Sequence, residues 1–213
     1  PDYRGAAPIN RAVMNGETCS GVTTFLLKHE IDTGNIIFQE KVEIGEEMTA
    51  GELHEELMEK GADLLLKTVR AMEAGDYPLT DQSRLLQGRE AINAPKIFKE
   101  DMKIHWDGEL EIIYNHIRGL SPFPGAWTEL QAVGTDGEVL TLKIFKAVKI
   151  WQSHNRSAGE IGTDGKTVFD VYVKGGLIRV KELQLSGKKR MRTEDFLRGF
   201  RLEDYRLRCQ SES

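Results

Sequence analysis

Two cysteines in 213 residues leave no disulfide framework to infer, since Cys19 and Cys209 stand far apart with no metal-type spacing. Reduced thiols in a cytosol are the expectation. Long apolar runs are also missing, none approaching the roughly 20 residues that a spanning helix needs, so no membrane partner is expected. The five histidines, His29, His54, His105, His116 and His154, are scattered and no pair has ligand spacing, which argues against a metal centre. The chain carries no P-loop, no GxGxxG, no nucleophile elbow and no HExxH. Internal repeats and low-complexity tracts are absent too.

What is present is ordinary globular material, with 39% hydrophobic and 30% charged residues. The length suits one large or two small domains. Charge is uneven: residues 1–88 hold 8 Lys/Arg against 16 Asp/Glu, and residues 89–213 hold 21 against 18. An acidic front and a basic rear point to two domains, with any polyanion meeting the second.

In chain order, Ile9, Val13 and Met14 share a helical face that Gly16 is placed to stop. A loop-like Tyr-Arg-Gly segment running straight into a helix needs a strand before it, so an N-terminal part is expected to precede Pro1. Two strand-like runs follow, Gly21–Leu27 and Ile36–Ile44. Between them lies Ile31-Asp32-Thr33-Gly34-Asn35. Asp32 either orients a base, holds a water or an ammonium group, or merely closes an Asx-turn.

The clearest helix spans Glu46 to Asp76, with Thr49 and Glu52 as a capping box and Gly75 as its stop. Leu53, Leu57, Leu64, Leu65 and Val69 form its expected core stripe. Residues 81–101 read as a linker. A second helix is expected over Trp106–Gly119, burying Leu110, Ile113, Tyr114 and Ile117. Runs at Ala126–Val133, Val139–Trp151, Thr167–Val173 and Leu177–Leu185, punctuated by Gly turns, predict a small antiparallel barrel or sandwich. A last helix is expected from Thr193 to about Phe200, with Thr193 as its cap.

The densest basic cluster is Ser186-Gly187-Lys188-Lys189-Arg190-Met191-Arg192, between a strand and the last helix, where side chains can reach a phosphate backbone. Lys96 and Lys99 in the linker add the same sign. A solvated loop is the alternative.

These segments accumulate into a resemblance. Pro1 to Ala12, Gly21-Val22-Thr23, Ile31-Asp32-Thr33-Gly34-Asn35, Ala94-Pro95-Lys96-Ile97, Ile104-His105-Trp106, Ile117 to Trp127 and Gly187-Lys188-Lys189-Arg190-Met191 resemble the formyltetrahydrofolate-dependent formyltransferase family. The similarity runs from Pro1 to about Arg201 and is strongest to members acting on methionyl initiator tRNA. It implies an α/β plus β fold: residues 1–80 as the C-terminal part of a Rossmann-like catalytic domain, 81–101 as linker, and 102–213 as an OB-like antiparallel β-barrel that helps hold tRNA.

By the same resemblance Asp32 is the catalytic carboxylate, and 10-formyltetrahydrofolate is the formyl donor. Lys96, Lys99, Lys188, Lys189 and Arg190 are tRNA contacts, no metal takes part, and the intact protein is a cytoplasmic monomer. The family's Asn and His, in an Asn-x-His segment before Pro1, are not in these residues, so the 213-residue chain alone is expected to be inactive. Rival readings are formyl transfer to a sugar-nucleotide amine, or an RNA-binding module without catalysis.

Overall fold

The computed structural model describes residues 2–29, 33–86, 88–134 and 138–208. They form two compact units, one of residues 1–13 with 17–97 and one of residues 14–16 with 98–213.

In the first unit a two-residue strand β1 (Arg4–Gly5) leads into α1 (Pro8–Met14), and Gly16 follows in the left-handed region at φ 73°. β2 (Cys19–Phe25) and β3 (Ile36–Glu43) pair antiparallel, from Cys19 opposite Glu43 to Phe25 opposite Ile36. Their β-branched content suits a half-buried pleated surface. One face of this ribbon receives α2 (Ala50–Ala74).

Both ends of α2 are fixed by local chemistry. The Thr49 hydroxyl accepts from Glu52 N, and the Glu52 carboxylate accepts from Thr49 N at 2.7 Å, so two orphan amides are satisfied. Gly75 closes the helix in the left-handed conformation at φ 69°. The helix starts four residues later than expected, because Thr49 is the cap and Glu46 precedes it.

Its buried line is Leu53, Leu57, Leu64 and Thr68. Leu65 and Val69, expected in the core, are exposed, since they lie about 100° round the helix from Leu64 and Thr68. Thr68 is tolerated inside because its hydroxyl bonds Leu64 O at 2.7 Å and Thr24 Oγ1 at 2.8 Å. Ala12, Val13, Val42, Ile44, Ala50, Leu53 and Leu57 form the unit's core. Leu53 is fully buried, and its truncation to Ala would cost roughly 2–5 kcal/mol.

Residues 81–97 carry α3 (Gln82–Leu86) and β4 (Asn93–Ala94), which pairs parallel with β1. Arg4 N donates to Ile92 O and Ala7 N to Ala94 O. Asp2 accepts from Arg89 Nη1 at 2.6 Å and from Ile92 N at 3.0 Å. The Arg89 guanidinium holds the Asp2 carboxyl down to about 2.

The second unit opens with a 3-10 turn at Glu100–Met102 and α4 (Leu110–Gly119). α4 begins later than the expected Trp106, whose indole instead donates to buried Thr128 Oγ1 at 2.9 Å. Leu110, Ile113, Tyr114 and Ile117 are all buried, and α4 packs on the sheet strands β6 and β9.

The sheet comprises β5 (Ala126–Ala132), β6 (Val139–Trp151), β7 (Ile161–Thr163), β8 (Phe169–Val173), β9 (Gly176–Leu185), β10 (Met191–Arg192) and β11 (Tyr205–Leu207). These seven antiparallel strands run β11-β5-β6-β9-β8-β7, with β10 on β9, and make a nearly closed barrel sheet. Register shifts in β6 at Ile144–Ala147 bend the long strand. Ala126, Thr128, Leu130, Leu142, Ile144 and Leu183 line its interior and are buried.

At Gly176 a Cβ would stand 2.1 Å from Ile150 O, so only glycine lets the strands approach there. Strands β7, β10 and β11 were not expected. Each is two or three residues long, too short to show an alternating pattern. α5 (Thr193–Leu197) forms, but Thr193 is not its cap: the residue is buried and its hydroxyl donates to Val180 O at 2.7 Å.

Candidate nucleic-acid interface

Alternation along β5 and β6 turns one set of side chains away from the barrel interior. Trp127 on β5 lies directly opposite Lys143 on β6, so the two share a face, and Lys143 in turn lies opposite Gln184 on β9. A Cβ placed on Gly125 would touch both the Phe145 ring at 3.1 Å and the Lys143 side chain at 3.3 Å, which puts Phe145 on this face as well.

Cations gather over these aromatics. The Lys99 and Lys103 ammonium groups lie 5.7 Å and 5.2 Å from the Trp127 ring centroid, and the Trp127 indole donates to Lys99 O at 3.0 Å. The Arg190 guanidinium covers Phe145 at 4.6 Å. Lys143 Nζ donates to Pro124 O at 2.9 Å, and Gln184 Nε2 holds Lys188 O at 2.8 Å. Lys99, Lys103, Lys143 and Arg190 thus form a row across β5, β6 and β9, with the exposed Lys188 and Lys189 at its β9 end.

The row is partly neutralised. Lys103 pairs with Glu129 at 3.0 Å, and Arg190 donates to Glu182 at 2.8 Å and 2.6 Å. These carboxylates fix the geometry of the cations and lower the local charge. Trp127 and Phe145 are themselves buried beneath these cations, so what the face presents is a row of fixed cations, suited to a phosphate chain.

Of the residues singled out in the sequence, Lys99, Lys188, Lys189 and Arg190 are brought to this one face. Lys96 is exposed in the first unit. Asp32 lies outside the described residues. Of the described residues flanking it in sequence, Leu26 N donates to Asn35 O at 2.9 Å, and Gln82 Nε2 donates to Gly34 O at 2.6 Å. Lys103, Lys143, Trp127 and Phe145 escaped the sequence reading. The signal was there for Trp127 and Lys143, which occupy alternate positions of predicted neighbouring strands, but cross-strand register was needed to pair them.

Among the described residues no group of three or more His, Cys, Asp or Glu is placed to hold a metal ion, and no helix is long and apolar enough to cross a membrane. A concavity on the second unit, about 640 Å³, is lined by Trp151, His154, Arg156 and Lys174 among others. His154 Nε2 is spent on Val173 O and Gly176 O, and Arg156 on Glu160. Its histidine therefore serves the fold.

Residues 1–69 match the family described as formyl transferase, and residues 96–201 match the formyl transferase C-terminal domain. The chain belongs to the formyl transferase family. A methionyl-tRNA formyltransferase from Phocaeicola vulgatus is 51% identical over 96% of the chain, and one from Bacteroides thetaiotaomicron is 46% identical over 96%. The chain spans 63% of the length of each of these relatives.

Among solved structures the formyl transferase fold recurs in HypX from Aquifex aeolicus in complex with tetrahydrofolic acid. The TM-score is 0.65 at 18% identity, covering 92% of this chain and 33% of that one. It recurs also in an N-formyltransferase from Helicobacter canadensis, with a TM-score of 0.62 at 21% identity, covering 84% and 62%.

Proposed function

We propose that these residues belong to an enzyme that moves a formyl group from 10-formyltetrahydrofolate to the α-amine of methionyl initiator tRNA. The observation that carries this reading is the row formed by Lys99 and Lys103 over Trp127, Arg190 over Phe145, and Lys143 opposite Trp127 with its ammonium on Pro124 O. An extended row suits a polyanion, whereas a sugar nucleotide needs only a local site. The names of the relatives at 46–51% identity support the same substrate.

In this reading residues 1–80 are the C-terminal part of a Rossmann-like catalytic domain, 81–101 a linker, and 102–213 an OB-like barrel that grips tRNA. Lys96, Lys99, Lys188, Lys189 and Arg190 contact its phosphates. The whole protein works as a cytoplasmic monomer.

Chemically the step is acyl transfer. The methionyl nitrogen attacks the formyl carbon, the new N–C bond forms, the bond to folate N10 breaks, and the amine proton passes to the departing nitrogen. Asp32, with an Asn and a His that the family resemblance places before Pro1, governs that proton movement, while the Asn steadies the oxyanion. A carboxylate at the end of the turn stabilises the imidazolium or orders a water between the groups.

The test is formation of product. The whole protein, given the formyl donor and methionyl initiator tRNA, should yield N-formylmethionyl-tRNA by mass analysis after hydrolysis. A dTDP-amino sugar in place of tRNA should give none. Formylation of the sugar with the tRNA untouched would overturn the proposal, and so would formylation of neither.

A further inference from the structure

Glu182 on β9 has a cation on every side that the sheet provides. It lies directly opposite Lys146 on β6 and directly opposite Arg192 on β10, so the three side chains leave the sheet on one face. Arg190 donates to it from Nε at 2.8 Å and from Nη2 at 2.6 Å, both to the same carboxylate oxygen. Lys146, Arg190 and Arg192 are all exposed. The face is that of the cation row, because Glu182 is two residues from Gln184, which lies opposite Lys143.

Arg190 does not depend on this carboxylate for its place. The buried Phe145 ring supports its guanidinium at 4.6 Å, and Gln184 Nε2 ties down the turn before it through Lys188 O. The Arg190 and Glu182 side chains are 42% and 31% exposed, and ion pairs so open to water are individually weak. A carboxylate and a phosphodiester each carry one negative charge and offer oxygens to the same guanidinium edge. The seat that Glu182 fills is therefore suited to a phosphate.

We propose that Glu182 is an internal stand-in for an RNA phosphate: it occupies a seat made by Lys146, Arg190 and Arg192, and a phosphate of the bound RNA displaces it. This rests on the RNA-binding reading above, and adds Lys146 and Arg192 to the interface and a competitor within it. The tethered carboxylate is always at hand, so an isolated phosphate gains little by displacing it. A chain already held at Lys143, Lys188 and Lys189 presents its next phosphate at high effective concentration and does displace it. Glu182 thus biases the row toward extended polyanions.

The experiment measures initiator tRNA binding against salt concentration for the whole protein and its Glu182→Gln, Glu182→Thr, Lys146→Ala and Arg192→Ala variants. Removing the competitor should tighten binding by roughly three- to fivefold, the scale of a half-exposed ion pair. The slope of log affinity against log salt should also steepen by roughly 0.7–0.9. A phosphate that replaces a carboxylate releases no counterion, whereas one that meets free cations does. Lys146→Ala and Arg192→Ala should each weaken binding.

Unfolding midpoints are read alongside, and either Glu182 variant that keeps the wild-type midpoint decides. Unchanged or weaker tRNA binding in that variant would overturn the proposal, since the carboxylate would then only orient Arg190. Wild-type binding in both Lys146→Ala and Arg192→Ala would overturn it too, because no seat would remain. Those results leave the RNA reading standing. Failure of the wild-type protein to bind tRNA at all would overturn that reading and this proposal together.

Discussion

Gln82 joins Gly34 to Arg4: its Nε2 donates to Gly34 O at 2.6 Å, and its Oε1 accepts from Arg4 Nη2 at 2.9 Å. The amide is buried, and both of its ends are used, as a buried Gln requires. Gly34 has no room for a side chain, since a Cβ there would lie 1.4 Å from Leu26 O. One side chain therefore joins Gly34, just ahead of β3, to the strand that opens the unit.

Replacing Gln82 by Ala leaves Gly34 O and the Arg4 guanidinium without this partner. A loss of about 1–3 kcal/mol in stability is expected. In the whole protein kcat should also fall by about tenfold, because Gly34, two residues from the proposed catalytic Asp32, loses its anchor, while tRNA affinity stays constant. Unfolding midpoint, kcat and tRNA binding on one preparation check this. A lower midpoint with full kcat would make Gln82 structural only.

Asp32→Asn separates turn chemistry from catalysis. Asn accepts the same turn hydrogen bonds and tolerates the same backbone, but it carries no charge. Stability should change by less than about 1 kcal/mol, while kcat of the whole protein falls by roughly 10²-fold or more. A variant that melts early and loses activity only in proportion would return Asp32 to a structural role.

The Asp2–Arg89 pair predicts a specific acid response. The Asp2 carboxyl is held at about 2 by Arg89, below its ordinary 3.8. A depressed carboxyl stabilises the fold fully above about pH 4, and that contribution is lost as pH falls toward 2. The melting difference between wild type and Asp2→Asn should be constant from pH 7 to about pH 5 and vanish near pH 2. A difference that stays flat across this range would exclude the pair as its source.

Much of this was legible from local pattern. The Thr49–Glu52 capping box and Gly75 bound α2, and alternation located β5, β6, β8 and β9. What the sequence hid was non-local. Nothing near Thr193 in the chain announces that its hydroxyl is taken by Val180 O, thirteen residues away. Leu65 and Val69 looked like core because they are apolar, yet the helix phase set by Leu53 and Leu57 points Thr68 inward instead. The cation row was half visible. Lys188, Lys189 and Arg190 stand out as a run, but Lys143 and Lys103 join them only through strand register and the Trp127 ring.

The salt dependence of initiator tRNA binding tests the account most directly. In the whole protein, replacing Lys188, Lys189 and Arg190 together by Ala removes up to three phosphate contacts. Each should take roughly 0.7–0.9 from the slope of log affinity against log salt, with affinity for the formyl donor unmoved. The account predicts a shallower slope and weaker binding. A slope identical to wild type would mean that this basic turn is a solvated loop, and would contradict the interface.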